Sequence, residues 1–386
     1  MIPGLDGIRA IAFLLVFSVH TDYIYIGWVG VQLFFVLSGF LITDILLRMK
    51  EKFAAGDYFK KFYGRRFLRI FPLYYLYLFI MYIVTNILLH YEYRIQYMER
   101  FQDHLPYALA YIYNFFNASP AYDGESWFIG HLWSLSSEEQ FYLVWPLLIF
   151  LTPQKHLKKL FVGAIIAGTL FRLGVTALYK YGDPTFLYSD MSVVIYVLPF
   201  SYLDAFGLGA YIARFDIPKA RWQFLALLIL LPVVGFATTY FSTGDFGVST
   251  AFGFAYPLDK DLKQVWGYSY LSYLCVLLIY LVAREKFFLR FLENKFVSYL
   301  GRISYGLYVY HFAIVWFVAR IRDLSIPVPI AKPLTLVISA ILTYAVASLS
   351  YKYFEKPILD LKERYFPLRT DRAPTPKPDL HPPPHA

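Results

Sequence analysis

The chain has 386 residues, of which 58% are hydrophobic, 21% aromatic and only 16% charged, with a mean hydropathy of +0.48. Soluble domains carry roughly 25% charged residues, so this balance excludes a soluble globular protein, and the 37 Phe, 36 Tyr and 7 Trp exclude intrinsic disorder over most of the length. The net charge of +9 would suit nucleic acid in a soluble chain, but here the basic residues cluster between apolar runs as short cytoplasmic loops would have them, so no nucleic-acid partner is expected.

Taken in chain order, the first apolar run, 8–26, has the length of a secretory signal but no small-x-small cleavage site, and nine more runs follow it, so it reads as an uncleaved first span. Those runs lie at 29–47, 71–89, 131–151, 157–179, 191–213, 221–240, 265–283, 303–320 and 331–353. Each is about 18 to 23 residues, enough to cross roughly 30 Å of hydrocarbon as helix. The expected fold class is an all-α integral membrane protein, a bundle of about ten transmembrane helices in the cytoplasmic (inner) membrane, with the lipid bilayer as its first partner. Between the second and third runs, Arg48, Lys50, Lys52, Lys60, Lys61, Arg65, Arg66 and Arg69 face only Glu51 and Asp57. The positive-inside rule places this loop, and with it both termini, in the cytoplasm.

The stretch 105–117, LPYALAYIYNFFN, is apolar but short. As a span it would bring the loop 118–130, free of Lys and Arg, inside and reverse every later assignment, so it reads as re-entrant or interfacial. Cys275 is the one cysteine and lies inside an apolar run, leaving no disulfide, C-x-x-C pair or cysteine-rich metal site. The division expected is a membrane domain over 1–357 and a cytoplasmic tail over 358–386, Pro-rich and disordered from about 367. No appended soluble domain is expected.

Polar groups inside apolar runs are costly, so each is a functional candidate, although many only pair with one another to hold a bundle. Arg9 and His20 lie eleven positions apart, three helical turns plus about 20°, which puts both on one face of the first span with Arg9 about 16 Å nearer the cytoplasm. In the fourth span, His131, Ser134, Leu135, Glu138 and Tyr142 share a face by the i, i+3, i+4, i+7 rule, while Glu139 turns away by about 100°. His20 and Glu138 fall at similar depth. A histidine beside a carboxylate suits general-base catalysis, because the acid orients the ring and stabilises the imidazolium; a buried structural pair is the alternative. Arg66 and Arg69, at i and i+3 before the third span, make a cationic fork for phosphate or a plain headgroup-binding cluster. Arg172, Asp204 and His311 are lone intramembrane polar groups, either substrate-binding or structural, and Gly39, Gly207 and Gly209 allow close helix approach.

The segments LDGIRAIAFLLVFSVH, GWVGVQLFFVLSGFLIT, FYGRRFLRIFPLYY, LWSLSSEEQFYLVWP, ISYGLYVYHF and YFEKP together resemble acyltransferase family 3, the integral membrane O-acyltransferases that include O-antigen and exopolysaccharide acetylases. The resemblance runs in the family's order from residue 5 to about 357. It implies an O-acetyltransferase that takes an acyl group, most often acetyl, from acyl-CoA on the cytoplasmic side and passes it to a hydroxyl of a carbohydrate acceptor in the cell envelope. Acetyl-CoA is then a co-substrate, no metal is required, and envelope-polysaccharide assembly proteins are further partners.

The resemblance also implies roles. Arg9 and His20 match the family's Arg-x10-His motif with its catalytic histidine, Arg66 and Arg69 its CoA-binding Arg-x-x-Arg, Trp133 to Glu138 its Trp-Ser-Leu-x-x-Glu, and His311 its late histidine, whose role stays open. Where many relatives have Asp in the second span this chain has Gln32. Where they read Arg-x-Asp in the sixth it has Tyr202 and Asp204, so Asp204 needs another partner. The alternative from a different class is a transporter or flippase for a glycan precursor, using the same charged residues as a pathway.

Overall fold

Helix follows helix from Leu5 to Tyr365 because the apolar runs leave no water to satisfy a backbone in any open form. The computed structural model describes residues 2–258, 262–324 and 326–368; the Pro-rich stretch expected at 369–386 lies outside the described residues. In order the helices are α1 (Leu5–His20), α2 (Val29–Lys52), α3 (Ala55–His90), α4 (Ile95–Leu109), α5 (Tyr113–Asn117), α6 (Trp133–Leu151), α7 (Leu157–Tyr181), α8 (Met191–Val197), α9 (Leu203–Arg214), α10 (Ala220–Thr243), α11 (Lys263–Glu285), α12 (Leu289–Leu292), α13 (Lys295–Arg302), α14 (Ser304–Val318), α15 (Val328–Ser350) and α16 (Lys356–Tyr365). No strand occurs among the described residues.

All ten predicted runs overlie helix, but only six helical segments among the described residues are long and apolar enough to cross a membrane by themselves, seven if α8 and α9, bent by 64° at Pro199, form one span. The shortfall has physical causes. α1 has 16 residues and α14 has 15; α6 carries the polar run Ser136 to Gln140. The third run is the reverse case, since α3 is 36 residues long and begins at Ala55 rather than near 71. Its first turns therefore hold Arg65, Arg66 and Arg69 on a continuous helix. The segment 105–117 breaks into the end of α4 and the short α5, with Tyr111 at a φ of 54° between them, and does not run as one span.

α2 is the hub. Two thirds (67%) of its most apolar window lies inside the protein, against 17% for α10, which faces outward with Ile229 and Val233 exposed. α2 packs most extensively on α9, and two glycines make that crossing: a Cβ on Gly39 would strike the Phe206 carbonyl, and one on Gly209 the Val36 carbonyl. Close approach through small residues is how helices associate where lipid removes the hydrophobic drive. Gly209→Val is expected to destabilise the bundle by about 1–3 kcal/mol through overpacking; a thermal melt of the purified variant indistinguishable from the parent would remove Gly209 from this role.

Loops gather by end. At one end Tyr25 N–H donates to Thr250, Trp28 Nε1 to the Phe254 carbonyl, and Tyr188 N–H to the Ala118 carbonyl, so 118–130, 183–190 and 244–258 share that end with the C-terminus of α1. At the other, Lys50 donates to the Ile149 and Thr152 carbonyls at the end of α6, and Arg65 pairs with Glu363 of α16 at 2.6 Å. The first part of the expected tail is thus a helix bound to α3. The basic loop identified between the second and third runs lies at this second end.

Candidate active site

α1 ends at His20 because the chain turns at once: Thr21 folds its hydroxyl back to the Phe17 carbonyl and Asp22 takes a φ of 63°. The imidazole therefore stands at the mouth of the bundle, half-buried. The partner expected for it, Glu138, is not there. Since α1 stops six residues short of its predicted end, His20 lies level with His131 rather than with Glu138, seven residues or about 10 Å deeper along α6.

His20 instead meets His311 of α14, Nδ1 to Nε2 at 2.8 Å, with the rings stacked at 5.1 Å. The hydrogen-bond chain fixes the protons. His311 Nδ1 lies 2.6 Å from the Tyr308 carbonyl, and a carbonyl only accepts, so this nitrogen carries the hydrogen. Nε2 of neutral His311 is then an acceptor, His20 donates to it from Nδ1, and His20 Nε2 keeps a free lone pair. His311 thus occupies the orienting position that helical spacing assigned to an acid. His131 closes the cluster, its ring 5.2 Å from that of His311 and its Nε2 donating to the Val309 carbonyl at 3.2 Å. Among the described residues no group of His, Cys, Asp and Glu is arranged to hold a metal ion.

The arginines line a cavity of about 880 Å3, open mouth included, at the basic end of the bundle. Arg9, Arg66 and Arg69 share its wall with Ser38, Ser134, Glu138, Glu139, Tyr142, Tyr305 and Tyr308. Arg9 is held by Asp6. Arg66 lies over the Tyr142 ring at 5.2 Å, and neither it nor Arg69 makes an ion pair among the described residues. Neither guanidinium group is tied up in a salt bridge there, so both keep donors suited to an anion, while the Glu138 and Glu139 carboxyls share their wall. Glu138 accepts from the Ser38 and Tyr142 hydroxyls. Glu139, expected to turn away, also reaches the cavity, and its Oε1 is buried with no hydrogen-bond partner among the described residues.

Cavity and imidazole are neighbours across one layer. Tyr308 lines the cavity and bonds Ser134 at 2.5 Å, while its own carbonyl anchors His311. His20 is not on the cavity wall. Tyr305 and Tyr308 are not candidates from the sequence, although tyrosines at i and i+3 in ISYGLYVYHF share a helical face.

Arg172 and Asp204 meet, both fully buried, at 2.7 Å. Arg172 also donates to the Ser201 and Val265 carbonyls and to Ser269 Oγ, so Asp204 finds on α7 the partner its own motif lacks. Of the two readings open for Arg172 and Asp204, substrate-binding or structural, the buried pair favours the structural one.

Compared with known proteins, residues 2–352 match the family described as an acyltransferase domain. The chain is 29% identical over 384 residues to the peptidoglycan O-acetyltransferase OatA of Listeria monocytogenes serovar 1/2a, covering 92% of this chain and 56% of that protein. It is 28% identical over 374 residues to the O-acetyltransferase OatA of Staphylococcus aureus, with 92% and 57% covered. The chain spans about half the length of these relatives. No solved structure matches it.

Proposed function

As the chain belongs to acyltransferase family 3 through a match over nearly its whole length, we propose that it transfers acetyl groups from acetyl-CoA, bound at the basic end of the bundle, to a hydroxyl of a cell-wall glycan at the His20 end. The observation that carries the reading is the pairing of two separated chemistries: Arg66 and Arg69, without a salt bridge among the described residues, in a cavity, and a histidine with one nitrogen tied and the other free. In this reading the bundle crosses the inner membrane about ten times, the short helices α1, α6 and α14 included, with both termini cytoplasmic.

Arg66 and Arg69 hold the phosphates, and Arg9, already bonded to Asp6, adds charge near them. Glu139 Oε1 offers an acceptor to an amide N–H of the donor's arm. To reach His20 that arm has to part the layer that the Tyr308–Ser134 pair closes between cavity and imidazole. His20 Nε2 then takes the acceptor hydroxyl's proton as the oxygen attacks the thioester carbonyl; the carbon–sulfur bond breaks and the proton leaves with the thiolate. Glu138 stays a wall residue of the donor cavity and His311 a positioning residue.

Arg66→Ala and Arg69→Ala are each expected to raise the apparent KM for acetyl-CoA on the order of 10- to 100-fold, the worth of a charged hydrogen bond, with kcat changed less. Thiol-release kinetics at fixed glycan measure this. An unchanged KM in both variants would defeat the phosphate assignment.

A further inference from the structure

The turn before α6 holds two side chains that the reaction above does not use. Ser126, Phe128 and Ile129 are buried, and the Ser126 carbonyl accepts from Gly130 N–H at 2.6 Å, so the turn is rigid. Yet Trp127, between them, is 40% exposed. It is not a ring simply afloat at a membrane interface. It stacks on Phe312 at 5.7 Å with an interplanar angle of 21°, and Phe312 meets the His20 ring edge-on at 4.8 Å. One ring separates the indole from the imidazole.

Glu125 sits on the other side of the same turn. Its carboxyl rests over Gly130, where a Cβ would come within 2.7 Å of Oε1, one residue from His131. It is open to solvent but makes no hydrogen bond or ion pair among the described residues. Tyr122, Tyr196 and Tyr256 lie within electrostatic reach of this carboxyl. The rings of Tyr196 and Tyr256 lie 4.6 Å apart. An exposed indole one ring from the His20 imidazole, with an unpartnered carboxyl on the same turn and tyrosine rings within its reach, matches the chemistry of a pyranose, which has an apolar C–H face and a rim of hydroxyl donors.

We propose that Trp127 and Glu125 form the acceptor-sugar subsite: a pyranose lies against the indole on the side away from Phe312, and the Glu125 carboxylate accepts from its hydroxyls or from an N-acetyl N–H. The inference rests on the acetyl-transfer reading, whose acceptor site it locates. Gly130 is then required because a side chain there would displace the carboxyl.

The test uses the full chain in nanodiscs with chitopentaose as the glycan probe. In transfer assays with acetyl-CoA, Trp127→Ala is expected to raise the KM for chitopentaose about tenfold or more, Trp127→Phe less, and Glu125→Gln by a similar factor to the alanine change. The KM for acetyl-CoA should be unchanged in all three, which also reports that they fold. Unchanged glycan KM values would overturn the subsite while leaving the transfer reading standing. Were the parent inactive with acetyl-CoA, that reading would fail, and calorimetric binding of chitopentaose would decide the subsite alone. Binding by the parent that is lost in Trp127→Ala supports it; binding that persists, or none by the parent, overturns it.

Discussion

His20→Ala is expected to lower acetyl transfer by about 10²- to 10⁴-fold, the usual worth of a positioned general base, in a protein that still inserts and binds acetyl-CoA. The expectation follows from position as much as from residue type. His20 Nδ1 is committed to His311, so its one free nitrogen is Nε2, and among the three clustered histidines it is the only one not fully buried. His311→Ala removes the anchor but not the base, so it should cost less than His20→Ala and leave KM for acetyl-CoA unchanged. It should also alter the pH profile of kcat, because the His20 ring loses the neighbour that fixes its tautomer. A normally expressed His20→Ala protein with parental activity would end the general-base reading. Equal, total loss in both variants with altered donor affinity would instead mean that the pair holds the fold.

The sequence made the basic end legible because charge against an apolar background is a strong signal: Arg66 and Arg69 at i and i+3 on a helix do share a wall, and only the helix's early start at Ala55 was hidden. Close helix approach at Gly39 and Gly209 was legible for a similar reason. The His20 partner was not. Depth along a span was counted from apolar run ends, and the turn at Thr21 and Asp22 ended α1 earlier than the run. A six-residue error in one helix was enough to exchange His311 and His131 for Glu138. The helices that fall short as independent spans, α1, α6, α14 and the bent α8–α9 pair, carry His20, Glu138, His311 and Asp204. Interior helices surrounded by other helices need be neither long nor wholly apolar, so hydropathy is weakest where the polar site is. Glu125 and Trp127 sit in a turn with no periodicity to read; packing on Phe312 singles out Trp127, and the seat over Gly130 singles out Glu125.

Asp204→Ala is expected to cost about 3–5 kcal/mol of stability, because removing one partner of a buried ion pair strands the other charge. The stranded Arg172 would keep its neutral acceptors, the Ser201 and Val265 carbonyls and Ser269 Oγ, which places the loss toward the lower part of that range. Arg172→Ala should do more harm, since Asp204 would be left with donors from Ser269 Oγ and the Ala205 N–H alone. The double change Arg172→Met with Asp204→Leu replaces both charges by apolar volume and should recover most of the loss, as apolar replacement of buried pairs is often neutral. Thermal unfolding in detergent, set beside acetyl-transfer rates at a temperature where all variants are folded, separates structure from function. A lock between α7 and α9 predicts lowered melting in the single variants, recovery in the double, and transfer retained wherever the protein is folded. If instead the double variant melted like the parent but no longer transferred acetyl groups, the pair would be acting in the chemistry, and the assignment of Arg172 and Asp204 as a helix lock would have to be given up.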